Sequence, residues 1–424
     1  MKNRVKLKYI ANIYKGKKPN NEYSTQKVGF LPYLAMDLLR GRNVIPSYVD
    51  INNEKVVTVK SDDILIIWDG SNSGEIVPAK EGVLSSTMGK ISLKSDNFNT
   101  NYIKYSLINY EADLRGSTVG MGIPHVNGEI LRNLNILNIS LQEQQKIADY
   151  LDVKTALIDE IIKKKQNLIQ ALDDKKKALI NDLVTGKTVW NGSTFSKPKI
   201  TKDSGIQWLG NIPEHWEVFN LKYLTKKVGS GVTPKGGGEI YSDSGIKFIR
   251  SQNVYFEGLV MDDIVHITPE IHNNMKNSAV KYGDVLLNIT GGSIGRSTIV
   301  ETNEELNVNQ HVCIIRPNDK LFYKYLNYFL FSDYGQINIK EGITGGNREG
   351  LNFENIKKFK ISIPLSINDQ INTVNVLDSN VIKINNIKSK ISTQIEKLKE
   401  YRQAVIAEAV TGKIDVRNWT KPNN

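Results

Sequence analysis

The sequence predicts an α+β protein: two mixed α/β globular domains alternating with two long helices that pair as an antiparallel coiled coil, a pseudo-two-fold internal repeat. Three observations predict it. Slid by 226 positions, residues 141–187 lie on residues 367–413 without a gap, and 14 of those 47 positions are identical. Within that stretch Leu151, Ile158, Ile161, Ile169 and Leu172 recur at helical spacings, as do Leu377, Ile384, Ile387, Ile395 and Leu398 in the second copy. Each set therefore marks one helix face, the face proposed to pair. The segments before each helix mix short β-rich runs with Gly, Asn, Asp and Ser loops, the pattern of a folded mixed domain.

Residues 1–140 form the first globular domain, with strands at Lys55–Lys60 and Ile64–Trp68 and an amphipathic helix near Asn101–Ala112. Residues 141–187 form the first long helix. It contains no proline and no internal glycine, and Gly186 of its closing Val-Thr-Gly-Lys is placed as a C-cap. About 40 residues at ~1.5 Å each give roughly 60 Å. A helix of that length with one apolar stripe needs a partner, and the duplication supplies one in the same chain. Residues 188–216, rich in Ser, Gly, Lys and Pro, read as a linker. Residues 217–364 form the second globular domain, with strands at Lys247–Arg250, Val285–Ile289 and Val312–Ile315 and a helix near Lys320–Ser332. The repeat reaches into these domains, since DDILIIWDGSNSG (62–74) matches GDVLLNITGGSIG (283–295) in kind. Residues 365–413 form the second long helix, capped by Gly412, and 414–424 are a C-terminal tail.

Composition narrows the function classes. The 424 residues carry a net charge of +11, which admits a polyanionic partner. The excess is spread over residues 1–140 (18 basic, 13 acidic), 141–200 (11 and 8) and 365–424 (9 and 6), while 201–364 balance at 18 and 18. A single cysteine, Cys313, excludes an internal disulfide framework and a Cys-based zinc site; its apolar run, VCII, reads as core. No apolar run approaches the ~18 residues of a membrane span, and the start of the chain has no apolar signal region, so a cytoplasmic protein without membrane contact is expected. The chain contains no GxxxxGK[ST]; both VTGK sequences end helices, and GSGVTPKGGG (229–238) lacks the strand–helix context of a dinucleotide site. Five histidines show no metal spacing, no Asn/Asp-Pro-Pro-aromatic tetrapeptide occurs, and Asp62-Asp63 and Asp262-Asp263 read as solvated turns. No catalytic residue and no metal ligand is assigned.

The motifs that remain are specific. DSGIQWLGNIPEHWEV (203–218) resembles the opening of a target-recognition domain in specificity subunits of type I restriction-modification systems. LNISLQEQQKIADYLD (137–152) and ISIPLSINDQINTVNVLD (361–378) resemble that family's lead into its spacer helices, and GVTPKGGGEIY (231–241) a loop near the start of such domains. The resemblance covers essentially the whole chain. Two departures stand out: the first domain starts at VKLKYI without the SGIxWLG preamble, and it reads IPHVNGEIL (123–131) where the second has GGNREGLNFENI (345–356). Divergent domains are what two different half-sites would require. Trp208 and Trp216, inside the opening motif, are assigned to packing and not to stacking on a flipped base.

The resemblance implies a non-catalytic DNA-specificity subunit whose two recognition domains each read half of a bipartite double-stranded target. The helical pair would fix the spacing and dock two modification subunits, directing adenine methylation or, with motor-nuclease subunits, restriction. S-adenosylmethionine, ATP and Mg are then expected on those partners, with no cofactor on this chain. Base reading needs paired donors and acceptors on loops, which selects Lys15, Lys17, Lys18, Arg40, Arg42, Asp69, Ser71, Asn72 and Ser73 in the first domain. In the second it selects Ser230, Thr233, Lys235, Arg250, Gln252, Asn253, Thr290, Ser293, Arg296, Asn347 and Arg348. The lysines are assigned to phosphates and the Arg, Asn and Gln to base edges. The alternatives are a self-contained site-specific nuclease and a non-specific DNA-binding coiled-coil scaffold.

Overall fold

The computed structural model describes residues 3–120, 122–232, 234, 240–345 and 349–421. The chain divides into two compact units, residues 1–166 with 392–424 and residues 167–391, so each long helix gives one half to each unit.

In the first unit the globular part is built on two four-stranded sheets. One runs in the order Ala11–Lys15, Met88–Leu93, Ile64–Ile67, Ile76–Pro78, all antiparallel. The other runs Tyr48–Asp50, Phe30–Leu34, Gly82–Leu84, Thr58–Val59, with its central pair parallel. The strand Ile64–Ile67 is apolar throughout because both its faces are buried. Ile64 and Ile66 point into a core shared with the long-helix residues Leu151, Ile406 and Ala409. Leu65 and Ile67 point into a second core with Leu34, Val59 and Leu84. Of the predicted strand Lys55–Lys60 only Thr58–Val59 pairs. The predicted helix near Asn101 breaks in two, Thr100–Ile108 and Glu111–Gly116, around Asn109 and Tyr110.

The second unit repeats this topology strand for strand. Its sheets are Thr225–Ser230, Val312–Pro317, Val285–Asn288, Ser297–Ile299 and Val265–Ile267, Ile246–Ile249, Leu306–Val308, Ala279–Val280, again with one parallel central pair. Val285 and Leu287 face the helix-side core and Leu286 faces the other. Cys313 is fully buried, and burial pushes its thiol up to about 12, which leaves it an inert core side chain. Trp216 is buried against Tyr325, and Trp208 leans on Tyr334. Residues 188–216 carry two short hairpins, Val189–Trp190 with Phe195–Ser196 and Thr201–Asp203 with Asn211–Pro213.

The long helices span Leu141–Val184 and Ile367–Val410, 44 residues each. Ser140 and Glu143 form a capping box at the first start, and the Ser366 hydroxyl accepts from the Asp369 amide at the second. Gly186 and Gly412 close them at φ +74° and +70°, the left-handed caps glycine favours. Within each unit the helix halves pack antiparallel. In the first unit Asp159 meets Arg402 at 2.9 Å and Lys165 meets Gln394 at 2.7 Å. In the second, Asp173 pairs with Lys388, and Ile180 and Leu183 share a core with Val374 and Leu377.

The pairing face needs one correction. Leu151, Ile158, Leu377, Ile384 and Ile395 are buried and Ile169, Leu172 and Leu398 half-buried, but Ile161 and Ile387 are 43% and 46% exposed. A two-helix seam alternates steps of four and three. Leu151–Thr155–Ile158 therefore continues to Ile162 and Lys165, and Leu377–Val381–Ile384 continues to Lys388 and Ile391. Ile161 and Ile387 fall one position short of the seam and face outward.

Each globular part is also tied to its helix by polar contacts. The Tyr105 hydroxyl donates to Asp152 at 2.7 Å, and Tyr328 donates to Asp378 at 2.5 Å. Burial raises both phenols above their ordinary value, so both stay protonated donors at neutral pH. The identity of Asp152 with Asp378 across the repeat thus marks a shared joint.

Candidate nucleic-acid interface

In each unit part of the selected set lies where loops meet: Lys15 and Asp69 in the first, Thr290 in the second. In the first unit Lys15 ends its strand and Gly16 passes under the turn 85–87; a Cβ on Gly16 would lie 2.0 Å from the Ser85 carbonyl oxygen. Trp68 and Asp69 donate their amides to the Thr87 carbonyl at 2.8 and 3.1 Å, and Gly70 donates to that of Pro124 at 2.9 Å. Four loops thereby meet. Their side chains form a cluster: His125 Nδ1 lies 2.7 Å from Asp69 Oδ1, and the Lys15 ammonium 3.1 Å from Asp69 Oδ2 and 5.9 Å over the Trp68 ring. A carboxylate holding one cation and one imidazole is electrostatically settled, yet His125 stays 40% exposed.

The second unit brings the same four loops together. A Cβ on Gly231 would lie 1.6 Å from the Val308 carbonyl oxygen. Ile289 donates to His311 and accepts from Leu351, at 3.0 and 2.9 Å, and Thr290 bridges to Gly350. The side chains differ. Thr290 Oγ1 lies 2.6 Å from His311 Nδ1, and the amide of exposed Gln310 lies 2.9 Å from His311 Nε2.

Around these clusters Lys17, Lys18 and Ser71 are exposed and Asn72 half-buried; Gln252 is exposed and Ser230 and Ser293 half-buried. Arg40 pairs with Glu75 and Arg42 with Asp37, each at 2.8 Å. At positions equivalent to Arg40 and Glu75 the second unit stacks Arg296 over Tyr255, 4.8 Å from the ring centre. Arg250 donates to the Asp263 carbonyl at 2.7 Å, while its buried Nε has no hydrogen-bond partner among the described residues.

Two selected residues are corrected. Ser73 and Asn253 are each only 1% exposed. Ser73 is drawn in as its amide closes the turn onto Gly70, and Asn253 is consumed by the Arg250 amide and the Val260 carbonyl, so neither reaches a base. Thr233, Lys235, Asn347 and Arg348 lie outside the described residues. His125 and His311, which the sequence shows only as histidines without metal spacing, and Gln310, which it does not single out, lie at these junctions beside the aligned DG and TGG turns at 69–70 and 290–292. Among the described residues no three His, Cys, Asp or Glu side chains gather as a metal site, and no helix is long and apolar enough to cross a membrane.

Comparison with known proteins places the chain in a family. The family model for the type I restriction modification DNA specificity domain matches residues 2–171 and 213–397. The type I restriction enzyme MjaVIII specificity subunit of Methanocaldococcus jannaschii is 32% identical over 417 residues, 97% of this chain and 92% of that one. The EcoBI specificity subunit of Escherichia coli is 23% identical over 425 residues, 99% and 87% of the two chains. A solved chain, described as treating complex assembly and conformational transition of the type I R-M system, shares the fold with a TM-score of 0.71 at 15% identity, covering 97% and 98%.

Proposed function

The chain belongs to the type I restriction modification DNA specificity family, and from that premise we propose that it is the sequence address of a type I complex, each globular part reading one half of a bipartite duplex target. The observation that carries this is the loop edge: two copies of one fold gather the same four loops and arm them with different side chains. That is what two unlike half-sites demand, because loop polar groups specify bases while the scaffold sets register. The chain acts by addressing, and methyl transfer to adenine, S-adenosylmethionine, ATP and Mg belong to partner subunits.

Two modification subunits then need two like faces. Ile161 and Ile387 are equivalent in the repeat and exposed in different units, and Leu157, one helical turn before Ile161, is exposed as well. Isolated exposed isoleucines are ordinary, but a duplicated pair off the seam suits a duplicated partner. Ile161→Asp and Ile387→Asp are each expected to weaken binding of a modification subunit about 10-fold or more without lowering the melting temperature. Titration calorimetry beside thermal melting reads both, and equal loss of stability would assign these residues to the fold instead.

The proposal is tested by expressing the chain with its modification subunit in a methylation-deficient host and mapping modified adenines. One bipartite motif with a fixed gap, absent when this chain is omitted, is the expected result. Methylation unchanged by the omission would defeat the specificity role.

A further inference from the structure

Resting on that reading, we infer that His125 and Gln310 are specificity-determining residues, one for each half-site, with Asp69 and the Thr290–His311 pair as their positioning residues. The argument starts from hydrogen-bond inventory. An ionised carboxylate only accepts, so the 2.7 Å contact with Asp69 puts a hydrogen on His125 Nδ1. In the neutral ring Nε2 is then an acceptor, and it has no protein partner among the described residues. The ring is also confined from its other edge: Gly120 adopts φ +113°, and a Cβ there would stand 2.8 Å from His125 Cδ2. A fixed, half-exposed acceptor on a loop edge matches the exocyclic amino group of adenine or cytosine in the major groove.

Gln310 is set by a relay. Its amide nitrogen lies 2.9 Å from His311 Nε2, which makes that nitrogen the acceptor and leaves the His311 Nδ1 hydrogen to the Thr290 oxygen at 2.6 Å. One N–H of Gln310 is used for positioning. Its other N–H and its carbonyl oxygen remain, side by side, on an exposed side chain. That donor–acceptor pair is the edge that reads adenine through N6 and N7. In the first unit the position equivalent to Gln310 is Ser86, whose short side chain has no such edge. The chemistry at this corner thus passes from a histidine on one loop to a glutamine on another.

The test uses the complete chain assembled with its modification subunits, acting on duplex libraries randomised in one half-site at a time, with modified adenines mapped by sequencing. His125→Ala is expected to relax preference at one base pair of one half by about 5- to 150-fold, the discrimination of one good base contact, and to leave the other half intact. Gln310→Ala is expected to do the same in the opposite half. Gln310→Glu, which only accepts, is expected to move the preferred base there from adenine toward cytosine, a change that mere loosening of a loop cannot produce. Unchanged motifs, or a loss spread evenly over all sequences, overturn the inference. A wild-type complex without any bipartite motif would instead overturn the function proposed above. Because Gln310 is exposed, its variants keep the inference testable even where His125→Ala impairs folding.

Discussion

Replacing Gly231 with alanine is expected to abolish recognition of the second unit's half-site, with methylation of the cognate target falling more than about 100-fold. A methyl group there would stand 1.6 Å from the Val308 carbonyl oxygen and 2.4 Å from its carbon. Backbone cannot swing aside as a side-chain tip can, so the strain is of the overpacking kind, about 1–3 kcal/mol or more. It falls on the segment leading into Asn309, Gln310 and His311, where the reading side chains sit. Gly16→Ala should act likewise on the first unit, since its methyl would meet the Ser85 carbonyl at 2.0 Å. Gly292→Ala is the steric control: it lies in the neighbouring turn with nothing within 4 Å of its would-be Cβ, so it should keep the fold and the first unit's half-site and spare the second far more than Gly231→Ala does. Methylation of substrates mutated in either half, beside urea denaturation, checks all three. If Gly231→Ala methylated the cognate target as well as Gly292→Ala does, the close crossing would not position the reader.

The repeat explains what the sequence could disclose. Duplication preserves the residues that both copies need, so the helices, their glycine caps and the order of parts stood out in one chain laid on itself. Seam register did not, because Ile161 and Ile162 are equally apolar and only the partner helix chooses between them. Base-reading candidates were harder still. Asp69 and His125 are 56 positions apart, on loops joined only by tertiary folding. Ser73 and Asn253 have the composition of contact residues but are spent on their own turns. Polar type and loop location therefore select a pool, and convergence of loops selects within it.

Removing the buried amides that join each globular part to its helix should be the most damaging change to stability. Gln144 and Gln370 occupy equivalent places and are wholly buried. Gln144 accepts from the Asn99 amide at 2.8 Å and donates to the carbonyls of Asn97 and Ile139 at 3.2 and 2.9 Å. Gln370 accepts from the Phe322 amide and donates to the carbonyls of Lys320 and Pro364, each at 2.9 Å. Leucine fits the volume but satisfies none of the three backbone groups. Each orphaned group costs about 1–3 kcal/mol, and partial relaxation brings the expected loss to roughly 3–5 kcal/mol for either Gln→Leu variant, near the upper end for single substitutions. The loss should be local. Hydrogen exchange in Gln144→Leu should accelerate over 97–108 and the start of the first long helix while 320–331 keeps its protection, and Gln370→Leu should show the reverse. Equal acceleration of both regions by either variant would mean that the joints are not independent. Independence matters for the address itself: a reader whose joint can fail alone can also be rebuilt alone, so one half-site is free to change while the other is kept.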